Sequence, residues 1–206
     1  VKIRHIEHHG AEELITRLRK VTLLKRPEVR IYESCTISLE KISTSSIYPT
    51  QRYVLLQELT KVRELQWALQ EHGYDMFQLN GYLNIWIDDS TDPITLLPPV
   101  VEESIERDGR VVVLINDGMH RLYLAHRQWI IPQVVFIRGV PKEYPYYAYP
   151  NPFQWDGIDL IDELPEGYIK KWHRIRDYHS LYRNFNSAFS NVGAPRGRFY
   201  RDGRKE

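Results

Sequence analysis

The 206-residue chain has a single cysteine, two methionines and no surplus of charge of either sign. Each shortage excludes something. One thiol, Cys35, cannot close an internal disulfide, so a stapled secreted scaffold is not expected, and the usage fits a reducing compartment such as the cytoplasm. With 28 Lys and Arg against 27 Asp and Glu, a net charge of +1 recruits no polyanion, and any contact with nucleic acid needs a local patch. No apolar run reaches the roughly 20 residues that cross a bilayer, so no membrane contact is expected. The first residue is Val1, which is read as a trimmed or partial start, and targeting is left unread.

What is present is an ordinary globular composition, 42% hydrophobic and 27% charged, long enough for one sizeable domain or a small domain with an extension. The stretch richest in chemistry is 111–127, VVVLINDGMHRLYLAHR. An apolar run breaks at Asn116-Asp117-Gly118 and an amphipathic segment starts at Met119, which spells strand, tight turn and helix. Unsatisfied amides at a helix start, the positive end of the dipole and a flexible glycine make an anion site, which His120 and Arg121 would deepen. The same letters also suit a plain junction, with Asn116 or Asp117 as N-cap and Arg121 in water. Both readings stand at this point.

The rest of the chain supplies the surroundings. His5, His8 and His9 stand beside Glu7 ahead of a helical pattern carried by Leu14, Ile15 and Leu18; on a helix those rings could hold a metal, but a polar face is favoured. Residues 29–32 and 35–39 alternate as strands that pair with or extend one another, with Cys35 as a small buried filler. The loop 42–50 is rich in Ser and Thr and closes on Pro49-Thr50-Gln51-Arg52; Thr50 and Arg52 either serve a phosphate or sugar, or mark a helix start with Thr50 as cap. Leu55, Leu59, Val62, Leu65 and Leu69 recur at helical steps over 53–72, with Gly73 as the stop. A strand follows near 82–87. Asp88, Asp89 and Asp92 read as a solvated turn more readily than as a cation site. Pro98 and Pro99 suit 96–101 to an edge strand or the start of a strand. Asp108-Gly109 turns into the central strand, and 133–139 is a further one.

Beyond residue 140 the composition shifts. Tyr144, Tyr146, Tyr147, Tyr149, Phe153 and Trp155 could stack a base, although packing onto the domain is preferred. A helix is expected over 168–189, with Trp172, Ile175, Tyr178 and Tyr182 docking it. Lys170, Lys171, Arg174, Arg176 and Arg183 would form a basic face toward phosphates or water. The basic stretch after Gly193 is expected to be a mobile tail.

Asp117-Gly118-Met119-His120-Arg121, set between a β-branched strand and Leu122-Tyr123-Leu124-Ala125, resembles the signature turn of the ParB/sulfiredoxin superfamily. Ile37-Ser38-Leu39-Glu40-Lys41-Ile42 is similar to that family's opening strand and turn. The resemblance covers about 35–140. It implies an α+β fold, a small mixed sheet flanked by helices, here with a C-terminal helical extension. The division expected is 1–34 as an N-terminal helix and strand, 35–140 as the nucleotide-binding domain, and 141–206 as aromatic wrap, basic helix and tail.

The resemblance also implies function. Family members cradle nucleotide phosphates on this turn, so Asn116, Gly118, Met119, His120 and Arg121 are the expected nucleotide-binding residues, with Thr50 and Arg52 as a second group of donors. The expected ligands are ATP or ADP, with CTP as a further candidate, together with Mg²⁺. Sulfiredoxin proper attacks with a cysteine where this chain has Met119, which has no proton to lose; sulfinate repair is excluded. Relatives that phosphorylate free serine use a glutamate in the loop after the first strand. Here that loop is Ser43-Thr44-Ser45-Ser46 and the nearest carboxylate is Glu40. Asp117 beside a polyphosphate is repulsive unless it holds Mg²⁺ or takes a proton from an attacking hydroxyl. The leading expectation is phosphoryl transfer to a small-molecule acceptor, or nucleotide hydrolysis, with Asp117, His120 and Glu40 as catalytic residues. The other is a nucleotide-switched DNA-binding module of the ParB type, meeting DNA through Lys170, Lys171, Arg174 and Arg176.

Overall fold

The computed structural model describes residues 2–88 and 90–192. In chain order the elements are β1 (Ile3–Gly10), α1 (Ala11–Leu18), β2 (Thr22–Leu23), β3 (Arg26–Arg30), β4 (Thr36–Lys41), β5 (Tyr53–Leu55), α2 (Leu56–Glu71), β6 (Gly81–Ile87), β7 (Ile94–Leu96), β8 (Val100–Ile105), β9 (Val111–Asp117), α3 (Met119–Arg127), β10 (Gln133–Arg138), β11 (Asp159–Ile161) and β12 (Arg183–Asn184). The class is α+β, as expected.

The central sheet has strand order β4-β10-β8-β9. It is mixed: β10 is antiparallel to β4 and parallel to β8, and β8 and β9 form a hairpin across Asp108-Gly109. Covered on both faces, its inner strand β10 reads as the unbroken run Val134-Val135-Phe136-Ile137. Alternate residues serve opposite faces. Val135, Ile137 and Val100 pack with Leu14 and Leu18 of α1, whereas Val134, Phe136 and Val101 pack with Met119 and Leu122 of α3. The other side of α3, through Leu124 and Ala125, joins Ala68 and Leu69 of α2 against Leu83 and Ile85 of a second sheet, β1-β6-β7. Hence α3 is wedged between two sheets, which fixes the turn at its start.

Four expectations change, and the reading of 96–101 as an edge strand or the start of a strand holds. His5, His8 and His9 lie on β1, a strand paired antiparallel with β6 from Ile3 to Gly10, and the helix begins only at Ala11. A long-range ladder overrides the local pattern there, and the rings do not share a helix face. β3 and β4 do not pair with each other; β3 joins β2, and β4 joins β10. Pro98-Pro99 splits 96–101 into β7, at the edge of the second sheet, and β8, which is interior to the central sheet, so the prolines mark the start of a strand. Thr50 caps no helix: α2 begins at Leu56 after the short strand β5.

The expected C-terminal helix over 168–189 is the largest change. The stretch is an irregular wrap with short 3₁₀ turns at Tyr178–Leu181 and Phe185–Ser187 and the two-residue strand β12. Its arginines explain why. Arg174 and Arg183 turn inward to acids of β8 and the following turn, which a helix with all its cations on one outer face would forbid. The expected tail from Gly193, and Asp89, lie outside the described residues. Among the described residues no helix is long and apolar enough to cross a membrane.

Candidate functional site

The turn between β9 and α3 is built on Gly118, whose φ of +90° is the left-handed conformation that side chains resist. A Cβ there would sit 3.0 Å from Nη2 of Arg121 and from Cβ of Pro99, so the position has neither the angle nor the room for another residue. Gly118 itself precedes the first residue of α3, and no side chain caps that helix. The Asn116 and Asp117 side chains are spent elsewhere.

Arg121 is 8% exposed and its guanidinium works as a clamp. Nη2 donates to Oδ2 of Asp117 at 2.9 Å, and Nη1 donates to the carbonyl of Leu97, tying the end of β9 to the linker between β7 and β8. His120, 6% exposed, faces another way. Its Nε2 accepts the backbone N–H of Leu55 at 3.4 Å, and Leu55 is the residue that precedes α2. One imidazole therefore joins the starts of α2 and α3. The first turn of a helix has amides with no partner inside the helix and carries the positive end of its dipole, and two such turns begin here. Met119 is buried in the core beneath the turn.

Asn116 belongs to a buried network. Its Nδ2 donates to the Tyr32 hydroxyl at 2.5 Å and to Oε2 of Glu102 at 3.2 Å. Glu102, in β8, also accepts from the Tyr32 hydroxyl at 3.0 Å and from Arg183 through Nη2 at 2.6 Å and Nε at 3.2 Å. Arg183 and Glu102 side chains are 0% and 2% exposed, a full burial of both charges. The same surroundings bear on Cys35: burial first, and then the Glu102 charge, push its thiol up to about 11, so it stays protonated and serves as filler.

Of the remaining expected residues, Glu40 and Arg52 have other partners and Thr50 is buried. Glu40 sits on β4 in a two-pronged pair with Arg138, at 2.6 and 3.1 Å, and also accepts from the Ser38 hydroxyl at 2.6 Å. Those bonds, the Arg138 guanidinium first, hold its carboxyl below the ordinary range. β4 and β9 are opposite edges of the four-stranded sheet, about 14 Å apart at the usual strand spacing. Thr50 is buried, and Arg52 stacks over Trp172 at 4.6 Å while donating to the Ile169 carbonyl. Of the four cations expected to meet DNA, Arg174 is held by Glu106 at 2.6 Å with both side chains under 10% exposed, and Lys171 bonds the Tyr147 hydroxyl. Lys170 and Arg176 face solvent. Oδ2 of Asp117 accepts from the Arg121 guanidinium, and among the described residues no three His, Cys, Asp or Glu gather.

Sequence reasoning missed the Leu55 amide and the Glu102–Arg183 pair. It also missed a support under α3, where Thr44 bonds His126 at 3.0 Å, Trp155 donates to the Thr44 carbonyl at 2.7 Å, and the His126 and Trp155 rings stack at 4.8 Å. A carboxylate in mid-strand, as in Val100-Val101-Glu102, was the available signal for a buried acid. Burial first, and then Arg127, hold the His126 imidazole below its ordinary value; burial, Lys171 and His179 do the same to His173. Such rings take up protons in the unfolded chain before the folded one. Their contribution to stability is therefore intact above about pH 6.5 and is lost as pH falls through the lowered folded values. The urea midpoint is expected to drop between pH 7.5 and 5, with a smaller drop in His126→Asn. A midpoint that stays level or rises over that range would contradict this assignment.

Residues 13–159 match the family model described as ParB CE domain. The matched region holds the turn, both helix starts and Glu102, and ends before Arg174 and Arg183. No curated protein and no solved structure matches the chain.

Proposed function

The chain belongs to the ParB CE domain family, and on that premise we propose that it is a nucleotide-binding module of the ParB type, in which the nucleotide acts as a switch for contact with DNA and not as a phosphoryl donor. The observation that carries the reading is the bond from the Leu55 N–H to His120, which brings the starts of α2 and α3 to one point beside the Gly118 turn. An anion placed there meets two positive helix ends, each worth roughly 0.3–1 kcal/mol, or up to about 2 where solvent is partly excluded. Mg²⁺ would arrive with the polyphosphate. Gly118, Met119 and Leu56 would line the phosphate through their backbone, with the Arg121 clamp holding the turn in shape.

Catalysis is the weaker reading on two counts. Glu40, the carboxylate proposed as base, is paired with Arg138 across the sheet, and Asp117 is neutralised by Arg121. A switch needs neither. Contact with DNA would rest on Lys170 and Arg176, the two exposed cations of the original four.

The test is a thermal-shift panel of ATP, ADP, CTP and GTP with Mg²⁺. A nucleotide at a hundredfold excess over its Kd stabilises by about 2.7 kcal/mol, which for a domain of this size raises Tm by about 5–10 °C. Leu56→Glu supplies the control: Leu56 is 45% exposed in the first turn of α2, where a carboxylate favours the helix but repels a phosphate. The expected result is a shift with at least one nucleotide, lost in Leu56→Glu while the variant melts normally. A flat panel, or an undiminished shift in the variant, removes the proposal. Duplex DNA added at low and high salt to the nucleotide-saturated protein reads the switch: a salt-sensitive complex that needs nucleotide supports it, and no complex removes that half.

A further inference from the structure

Of the six rings over 144–155, five are packed or partly covered and one is not. Phe153 is 70% exposed, whereas Tyr146 is 1% and Trp155 8%. The loop that presents Phe153 is tied down by hydrogen bonds of Asn151. Asn151, itself 1% exposed, donates from its backbone N–H to Pro49 at 2.8 Å and from Nδ2 to the Gly157 carbonyl at 2.8 Å, and its Oδ1 accepts the Phe153 N–H at 3.1 Å. Trp155 pins the other side through Thr44 and the His126 ring. The fit is close: a Cβ on Gly157 would come within 2.4 Å of Asn151 Oδ1.

Inside this frame Gln154 has a φ of +50°, a conformation that a side chain adopts at a cost of about 1–3 kcal/mol. The strain coincides with a cleft of about 350 Å³ bordered by Tyr48, Arg110, Asn151, Phe153, Gln154 and Asp156. Tyr48 is itself fixed, lying against the edge of β9 with bonds to Val113 and Ile115 at 2.7 and 3.1 Å. Arg110, on the border of the cleft, bonds Asp108 through Nε at 2.6 Å in a solvent-exposed pair. A flat ring surface, an amide, a carboxylate and a guanidinium thus surround one space.

We propose that this cleft binds a nucleobase carrying a phosphate, with the base stacked on Phe153, its edge met by Gln154 and Asp156, and the phosphate toward Arg110. Asp156 accepts from an exocyclic amino group, so adenine, cytosine and guanine suit the cleft better than uracil. The site is separate from the Gly118 turn: Arg110 and Gly118 flank opposite ends of β9, about 25 Å apart along an extended strand. It stands or falls independently of the proposal made there.

Isothermal titration with adenosine 5′-monophosphate, adenosine and ribose 5-phosphate tests it. AMP is expected to bind, and Phe153→Ala to weaken it about tenfold or more, as loss of one base–aromatic stack does elsewhere, without lowering Tm. Arg110→Gln should weaken AMP and leave adenosine unchanged. Leu56→Glu should leave AMP binding at this cleft intact, which separates the two sites. An eight-nucleotide oligo(dA) that binds more tightly than AMP assigns the base to a single strand; equal or weaker binding assigns it to a free nucleotide. AMP affinity unchanged in Phe153→Ala, ribose 5-phosphate binding as well as AMP, or no binding at millimolar AMP overturns the proposal.

Discussion

Replacing Arg183 with alanine is expected to cost about 3–5 kcal/mol of folding free energy, enough to unfold a large fraction of a marginal domain. The loss comes from what remains. Glu102 stays at 2% exposure without its cation, with the Tyr32 hydroxyl and the Asn116 amide as its remaining donors, while the carbonyls of Leu181 and Tyr144 lose donors at 2.7 and 2.8 Å. Removing both charges should be far milder, since a buried pair roughly breaks even against neutral groups of similar shape. Arg183→Met with Glu102→Gln is therefore expected to recover most of the stability lost in Arg183→Ala. Urea unfolding of the two variants reads the difference directly. A loss below about 1 kcal/mol in the single variant would mean that water reaches Glu102 in solution.

Arg121→Ala is expected to lose about 2–4 kcal/mol with no nucleotide present. This arginine supports the turn from within, bonding the Leu97 carbonyl and Asp117 at once. Its removal leaves a buried carbonyl and a carboxylate only 22% exposed without their donor. Asp117→Ala should cost less, because Arg121 keeps Leu97, and the double variant should show a coupling of about 1–2 kcal/mol between the pair. If Arg121→Ala is as stable as the wild type yet loses its response to nucleotide, the side chain is a phosphate donor and the clamp is not its main work.

These two arginines show where sequence reading succeeds and where it stops. The turn at Gly118, the hairpin at Asp108-Gly109, the helix ending at Gly73 and the buried run of β10 are all local signals, set by turn chemistry and by the spacing of apolar residues within one element. They could be placed from the letters alone. The partner of a side chain could not. Arg121 reads equally well as a solvated cation, a phosphate donor or a clamp, and the choice depends on Leu97, 24 residues away. His120 meets an amide 65 residues distant. Over 168–189 the steps from Trp172 to Ile175, Tyr178 and Tyr182 fit a helix, but Arg174 and Arg183 have acids 68 and 81 residues away, and those pairs shape the segment into a wrap. The histidines of β1 fail for the same reason, since their strand is made by pairing with β6.

For the candidate site, the residues of the turn were legible and their division of labour was not. Met119, His120 and Arg121 are all buried, so under the proposed function the turn would meet a ligand through its backbone. That is consistent with a role for the sequence in shaping two helix starts, with glycine needed for the angle, arginine for the clamp and histidine for the junction.

The most direct measurement is a ¹⁵N-resolved NMR titration of the amides with the nucleotide that gives the largest thermal shift. Binding where α2 and α3 begin should move the Gly118, Met119, His120, Leu55 and Leu56 amides first and furthest, in proportion to occupancy. Saturating changes confined to other amides, or none at millimolar nucleotide, would contradict a phosphate at that junction.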